Sequence, residues 1–223
     1  MDCYTELKKR HRNERDGWPQ NLSLRVHRAL SWLDRSERSG DADGRFIFLW
    51  IAFNSAYARE LDLTEHTAEK DMFFSFLSLL ATLDIEQNGR FQTLIWENMT
   101  ESVQGLLQNH YIFGDFWLYQ AGELDEATWK ERFAKANDKA LYAWMDGDTE
   151  VVLRILFSRL YVLRNQLIHG AATWNGSTNS DQVEACCALM EKMVPTVIEL
   201  MMDNPDTDWG EPRYPVVPLF DNG

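Results

Sequence analysis

The sequence predicts an all-α protein, a bundle of about seven helices. Apolar residues recur at steps of three and four along most of the chain, which is the spacing of one buried helix face. No stretch alternates apolar and polar residues as a half-buried strand would, and no repeat period is visible. Hydrophobic residues make up 45% and charged residues 26%, with nine Trp and twelve Phe, so the chain can fill a sizeable core and is not of the disordered class.

Taken in order, Leu22, Val26, Leu30 and Leu33 form one stripe on a helix over 22–38, with Arg25, Arg28, Arg35 and Arg38 outside it. Ser39–Gly44 (SGDADG) has loop composition. Over 45–62, Phe46, Trp50, Phe53, Tyr57 and Leu61 share a face that Ile47 and Leu49 widen; Asn54 and Ser55 are polar islands expected to satisfy each other or the backbone in a helix–helix seam. A helix over 66–83 carries Met72, Phe73, Phe76, Leu79, Leu80 and Leu83, and a weaker pattern runs over 88–110. Residues 111–120 (YIFGDFWLYQ) are dense in aromatics and broken by Gly114. Trp129, Phe133, Ala136, Ala140 and Trp144 mark a helix over 125–145, ended by Asp146–Gly147.

The most regular helix spans 149–170, where Val152, Leu156, Leu160, Leu163 and Leu167 follow four-four-three-four spacing. Thr149 is placed to cap it, with Asp148 and Glu150 near its positive end and Gly170 suited to its C-terminal turn. A loop (171–180) leads to a last helix over 181–203, which Pro195 is expected to bend. Four prolines within the fourteen residues from Pro205 predict an extended tail.

The net charge is −13, unevenly spread: residues 1–45 carry +2 and residues 46–223 carry −15. A uniformly acidic surface repels phosphate backbones, so any nucleic-acid contact must be local. The run Lys8, Lys9, Arg10, Arg12, Arg15 is one candidate, its plainer reading being a solvated, frayed terminus. Three cysteines, two of them the neighbours Cys186 and Cys187 in an apolar run, read as reduced thiols used in packing, and a cytoplasmic protein is expected. The N-terminus lacks the apolar core of a secretory signal, no apolar run reaches membrane-spanning length, and the histidines and acids show no metal-ligand spacing.

Within the helix 149–170 the chain reads Leu-Tyr-Val-Leu-Arg-Asn-Gln-Leu-Ile-His-Gly. Asn165 and His169 are four apart and stack on one face, well off the leucine stripe. Arg164 lies five residues before His169, about 140° away around an ideal helix, so a bend or a second chain is needed to bring both to one phosphate. Arg164-Asn165-x-x-x-His169 resembles the signature of the HEPN superfamily: Arg, four to six residues, then His, often with a polar residue directly after the Arg. The apolar helix Phe48-Leu49-Trp50-Ile51-Ala52-Phe53-Asn54-Ser55 and Gly170 are similar to bacterial HEPN proteins of the abortive-infection type. The resemblance covers 22–62 and 149–203. It implies one HEPN-like domain with its core in 22–84 and 149–203, a helical insertion over 85–148 and a tail over 204–223.

The resemblance further implies a toxin or defence endoribonuclease that needs no metal or cofactor and cleaves single-stranded RNA at a homodimer interface. His169 would be the general acid or base, since imidazole titrates near neutral pH. Arg164 would grip the scissile phosphate, and Asn165 would orient His169 or the phosphate. The attacking group would be the 2′-hydroxyl, leaving a 2′,3′-cyclic phosphate. An antitoxin protein is a further candidate partner. The competing reading is a non-catalytic helical module that binds a nucleotide or a partner protein, and the acidity beyond residue 45 favours it. Singly, each residue has a bland use: His169 as a helix-end residue, Arg164 snorkelling over Leu160 and Leu167, and Trp117, Tyr119, Trp129 and Trp144 as core.

Overall fold

A computed structural model describes residues 3–57, 66–177, 180–212 and 214, with side chains omitted over 66–70. The described chain is helical throughout its regular structure and contains no β-strand. Its α-helices are α1 (Cys3–Glu14), α2 (Gln20–Glu37), α3 (Ala42–Tyr57), α4 (His66–Gln87), α5 (Arg90–Thr93), α6 (Thr100–Gln108), α7 (Gly114–Gln120), α8 (Glu126–Met145), α9 (Thr149–Ile168) and α10 (Ser180–Asp203). A single π turn, Leu94–Asn98, joins α5 to α6.

Ten α-helices among the described residues replace the expected seven. The terminus read as frayed is α1, held down by buried Leu7, by Arg10 on Asp203 at 2.7 Å, and by the Tyr4 amide donating to Glu37 at 3.0 Å. The aromatic stretch 111–120 contains α7, which starts at Gly114. The pattern over 88–110 is split, because Asp84 at the end of α4 reaches forward to accept the Arg90 and Phe91 amides, both at 2.8 Å, and so starts α5 as a separate turn. Residues 58–62 of the expected helix 45–62 lie outside the described residues. Helix α10 runs on through the buried Pro195.

The core is a stack of aromatic rings between α3, α4 and α9. Phe53 stacks on Phe157 with centroids 4.5 Å apart and meets Phe73 and Phe76 edge-on at 5.9 Å each. Phe46, Trp50, Phe53 and Phe157 are fully buried, each side chain contributing about 1.5–3 kcal/mol. Helix α10 packs against α2 and α3 and also against α4, α5 and α6, with Cys186 and Cys187 both buried on it. Segment 85–148 lies against α9 through α6 and α8.

Two arginines expected in solvent or unremarked are buried. Arg25 is 0% exposed, on the same side of α2 as the leucine stripe. Its guanidinium donates to carbonyls far away in sequence: Ala56 at 3.0 Å, Gly210 at 3.2 Å and Glu211 at 2.8 Å. Arg159 of α9 donates to the Leu107 carbonyl at 3.3 Å and lies over the rings of Phe113 and Phe133, 4.5 and 5.3 Å from their centroids. The tail, expected to be extended, folds back: Asn204 and Thr207 make turns, and the buried Trp209 packs edge-on against Phe76. Residue 213 and residues 215–223 lie outside the described residues. Ser55 satisfies itself on the Ile51 carbonyl at 2.9 Å, whereas the buried Asn54 Oδ1 has no partner. Among the described residues, no helix is long and apolar enough to cross a membrane.

Candidate functional site at the end of α9

Helix α9 is started by Asp148, whose carboxylate accepts the Val151 amide at 3.0 Å; the cap is therefore Asp148 and not Thr149, which is buried as the first helical residue. An aspartate at that position both fills an orphan donor and offsets the positive helix end. Val152, Leu156, Leu160 and Leu163 turn inward as the spacing predicts, while Leu167 is only half-buried.

The other end of α9 is closed by a pair of crossed backbone bonds. The Ala171 amide reaches the Gln166 carbonyl at 2.8 Å and the Gly170 amide reaches Leu167 at 3.3 Å, with Gly170 in the left-handed conformation at φ 70°. A side chain at 170 would meet nothing within 4 Å, so glycine is required there by the backbone and not by space. His169 is the residue just inside this turn, its amide bonded to the Asn165 carbonyl at 3.0 Å and its ring exposed.

Arg164 and Asn165 are brought together. Arg164 Nη1 donates to Asn165 Oδ1 at 2.8 Å, and its Cζ lies 5.8 Å from the Tyr161 ring centroid, with Trp50 of α3 behind that ring at 6.1 Å. Both residues are half-buried, and the Arg164 Nε is buried without a hydrogen-bond partner. Asn165 therefore steadies the guanidinium and not His169. Among the described residues, no side-chain hydrogen bond joins His169 to Arg164 or Asn165. The three residues share one helix end, with the guanidinium fixed and the imidazole free.

Two features around this end were not legible from spacing. Gln166 Nε2 donates to the Tyr111 carbonyl at 2.9 Å, and Trp117 Nε1 donates to that same oxygen at 2.7 Å, tying α9 to the segment before α7. The loop after His169 borders a cavity of about 400 Å³ whose walls include Asp43, Trp174 and Glu184; Trp174 is 74% exposed there, and the Asn175 amide donates to Asp43 at 3.1 Å. Residues 151–180 carry Arg154, Arg159 and Arg164 and neither Asp nor Glu; Arg154 pairs with Glu150 at 3.3 Å and Arg159 is buried, which leaves Arg164 beside His169. Among the described residues, no group of three His, Cys, Asp or Glu side chains is arranged to hold a metal ion. Of the four aromatics read as core, Trp129 is buried and Tyr119 and Trp144 are half-buried, while Trp117 is 38% exposed. No family model matches the chain, and no curated protein or solved structure matches it.

Proposed function

We propose that the chain is a metal-independent endoribonuclease of HEPN toxin or defence type, acting as a homodimer through Arg164, Asn165 and His169. The observation that carries this reading is the pairing of a fixed guanidinium with a free imidazole at one end of α9. Arg164, held in plane by Asn165 and flanked by Tyr161, offers its remaining N–H donors to a phosphate without having to be ordered first. The stretch 151–180 itself carries no carboxylate to repel a phosphate, although Asp43 and Glu184 wall the neighbouring cavity.

In this mechanism His169 accepts the proton of the 2′-hydroxyl as that oxygen attacks phosphorus. The P–O5′ bond breaks, the departing O5′ receives a proton from the His169 of a second copy, and the two arginines offset charge on the phosphorane. The products are a 2′,3′-cyclic phosphate and a free 5′-hydroxyl. The competing reading, a non-catalytic helical module for a nucleotide or partner protein, draws on the net charge of −13.

The test is cleavage of single-stranded RNA by purified protein in EDTA. His169→Ala is expected to reduce the rate by about 10²–10⁴-fold with an unchanged helical circular-dichroism spectrum, the range lost when one positioned proton-transfer group is removed. Cleavage retained by that variant would remove His169 from the chemistry and, with it, the nuclease reading.

A further inference from the structure

The second half of α8 carries apolar side chains that the fold leaves uncovered. Ala140 and Ala143 turn inward and are buried, whereas Leu141, Tyr142 and Met145 are 56%, 65% and 71% exposed. These three and Asp138 stand three or four residues apart, so they share one outward face. Single exposed apolar residues are ordinary on a protein surface, but large ones on adjoining turns of one helix form a contiguous strip.

Two hollows flank the strip. One, of about 580 Å³, lies between the end of α8 and the segment 88–97; its walls include Gln92, Trp96, Glu97, Trp144 and Asp146. The other, of about 510 Å³, lies between α6 and α8; its walls include Gln104, Gln108, Asp138, Leu141 and Trp144. Trp144 belongs to both, so hollows and strip make one groove along about 15 Å of helix. The middle of this groove is held in place. Trp96 stacks on Trp144 with centroids 5.0 Å apart, and Trp96 Nε1 donates to the Trp144 carbonyl at 3.1 Å. Trp96 itself sits in the π turn, closed by the Met99 amide on the Leu94 carbonyl at 2.9 Å. Single π turns are rare and occur frequently at functional sites.

The groove carries one sign of charge. Its walls hold Glu97, Asp138 and Asp146, all exposed and none in an ion pair among the described residues, and no lysine or arginine. The neighbouring cations do not cancel them: Arg90 is turned to Asp203, and Lys139 lines neither hollow. That charge selects the occupant. A phosphate backbone or an anionic membrane surface is repelled. A second copy laid face to face would set carboxylate against carboxylate. A cationic segment with apolar anchors complements both the strip and its rim.

We propose that this groove docks a basic amphipathic helix of a partner protein, its apolar side chains set on Leu141, Trp144 and Met145 and its lysines or arginines reaching Glu97, Asp138 and Asp146. Apolar anchors at i, i+3 or i+4 and i+7 span about 10 Å, within the length of the groove. The paired indoles also offer an aromatic face to a cation. Because α8 turns back into α9 at Gly147, the groove stands at the start of α9, about 30 Å along that 20-residue helix from His169. A partner seated there leaves the Arg164–His169 end uncovered.

The test is fluorescence anisotropy on the full chain with a labelled synthetic peptide of about four helical turns, with Leu at steps of three and four, Lys on the flanks and Ala elsewhere. One companion peptide replaces every Lys by Glu, and a second keeps the composition in scrambled order. The first peptide is expected to bind with an affinity that falls as NaCl rises, and both companions at least about tenfold more weakly. Leu141→Ser is expected to weaken binding by about tenfold. Glu97→Gln combined with Asp138→Asn is expected to weaken it by about three- to tenfold at low salt. All three positions are exposed, so the circular-dichroism spectra should be unchanged. No binding at about 1 mM, equal binding of either companion, or affinity unchanged in both variants overturns the proposal. So does self-association in analytical ultracentrifugation, or binding to phosphatidylserine vesicles, that Leu141→Ser abolishes, since the strip would then serve a second copy or a membrane. RNA takes no part in these measurements, so their failure is distinct from failure of the ribonuclease reading.

Discussion

Replacing Arg25 by Met isolates what a buried guanidinium does when its visible acceptors are backbone carbonyls. Met fills most of the aliphatic volume, so the cavity contribution is small. What is lost is the donor set reaching Ala56 at 3.0 Å, Gly210 at 3.2 Å and Glu211 at 2.8 Å. A buried acceptor left unsatisfied costs about 1–3 kcal/mol. Ala56 is buried and feels the full penalty, whereas Gly210 and Glu211 lie nearer the surface and recover part of it from water. Together the loss comes to about 3–5 kcal/mol, which for a chain of this length lowers Tm by about 10 °C. The assay is urea unfolding followed by circular dichroism, with limited proteolysis of the 204–214 segment as a local readout, since that segment is what the arginine ties down. A variant within about 1 kcal/mol of the parent, with an equally protected tail, would refute the idea that these carbonyl contacts stabilise the fold.

Arg159 predicts the opposite behaviour. Burial pushes its pKa down to about 10, so the charged form is disfavoured in the fold, yet it remains protonated at neutral pH and is offset by two aromatic faces and one carbonyl. Arg159→Met is expected to leave thermal stability within about 1 kcal/mol of the parent, because removing a desolvated charge compensates for the lost contacts; Arg159→Ala, which also opens a cavity, is expected to cost about 2–4 kcal/mol in the same unfolding assay. The thiols give a third test: burial, first among the causes, raises Cys3 to about 11 and Cys187 to about 12, and pushes Cys186 up as well. At pH 8 the folded protein should therefore react with a thiol-specific disulfide reagent far more slowly than the urea-unfolded chain, which should release three equivalents at once; comparable rates in the two states would contradict that burial.

The parts of the fold that were legible in the sequence are those where one residue type repeats on one face. Val152, Leu156, Leu160 and Leu163 announce α9 by spacing alone, and Phe46, Trp50 and Phe53 do so for α3. Helix α1 was not legible because only Leu7 among its residues 5–14 is apolar; its order comes from partners in α2 and α10. Helix α7 was hidden because its aromatics lie in an unbroken run without helical period. Arg25 was misplaced because an arginine beside an apolar stripe reads as solvated, and nothing local reveals that Gly210, 185 positions on, supplies an acceptor. In the candidate site, the positions of Arg164, Asn165 and His169 were legible as a spacing, but the choice Asn165 makes was not. A carboxamide four residues before a histidine and next to an arginine has two neighbours it can serve, and only side-chain geometry shows that it bonds to the arginine.

The shared Tyr111 carbonyl gives the α9 end a mechanical neighbour. Because Gln166 and Trp117 both donate to that single oxygen, one turn before the imidazole, any displacement of Trp117 would tug on the same atom that anchors Gln166. The short helix α7 and the last turn of α9 are thereby joined through a single oxygen, so that a shift in either is felt by the other.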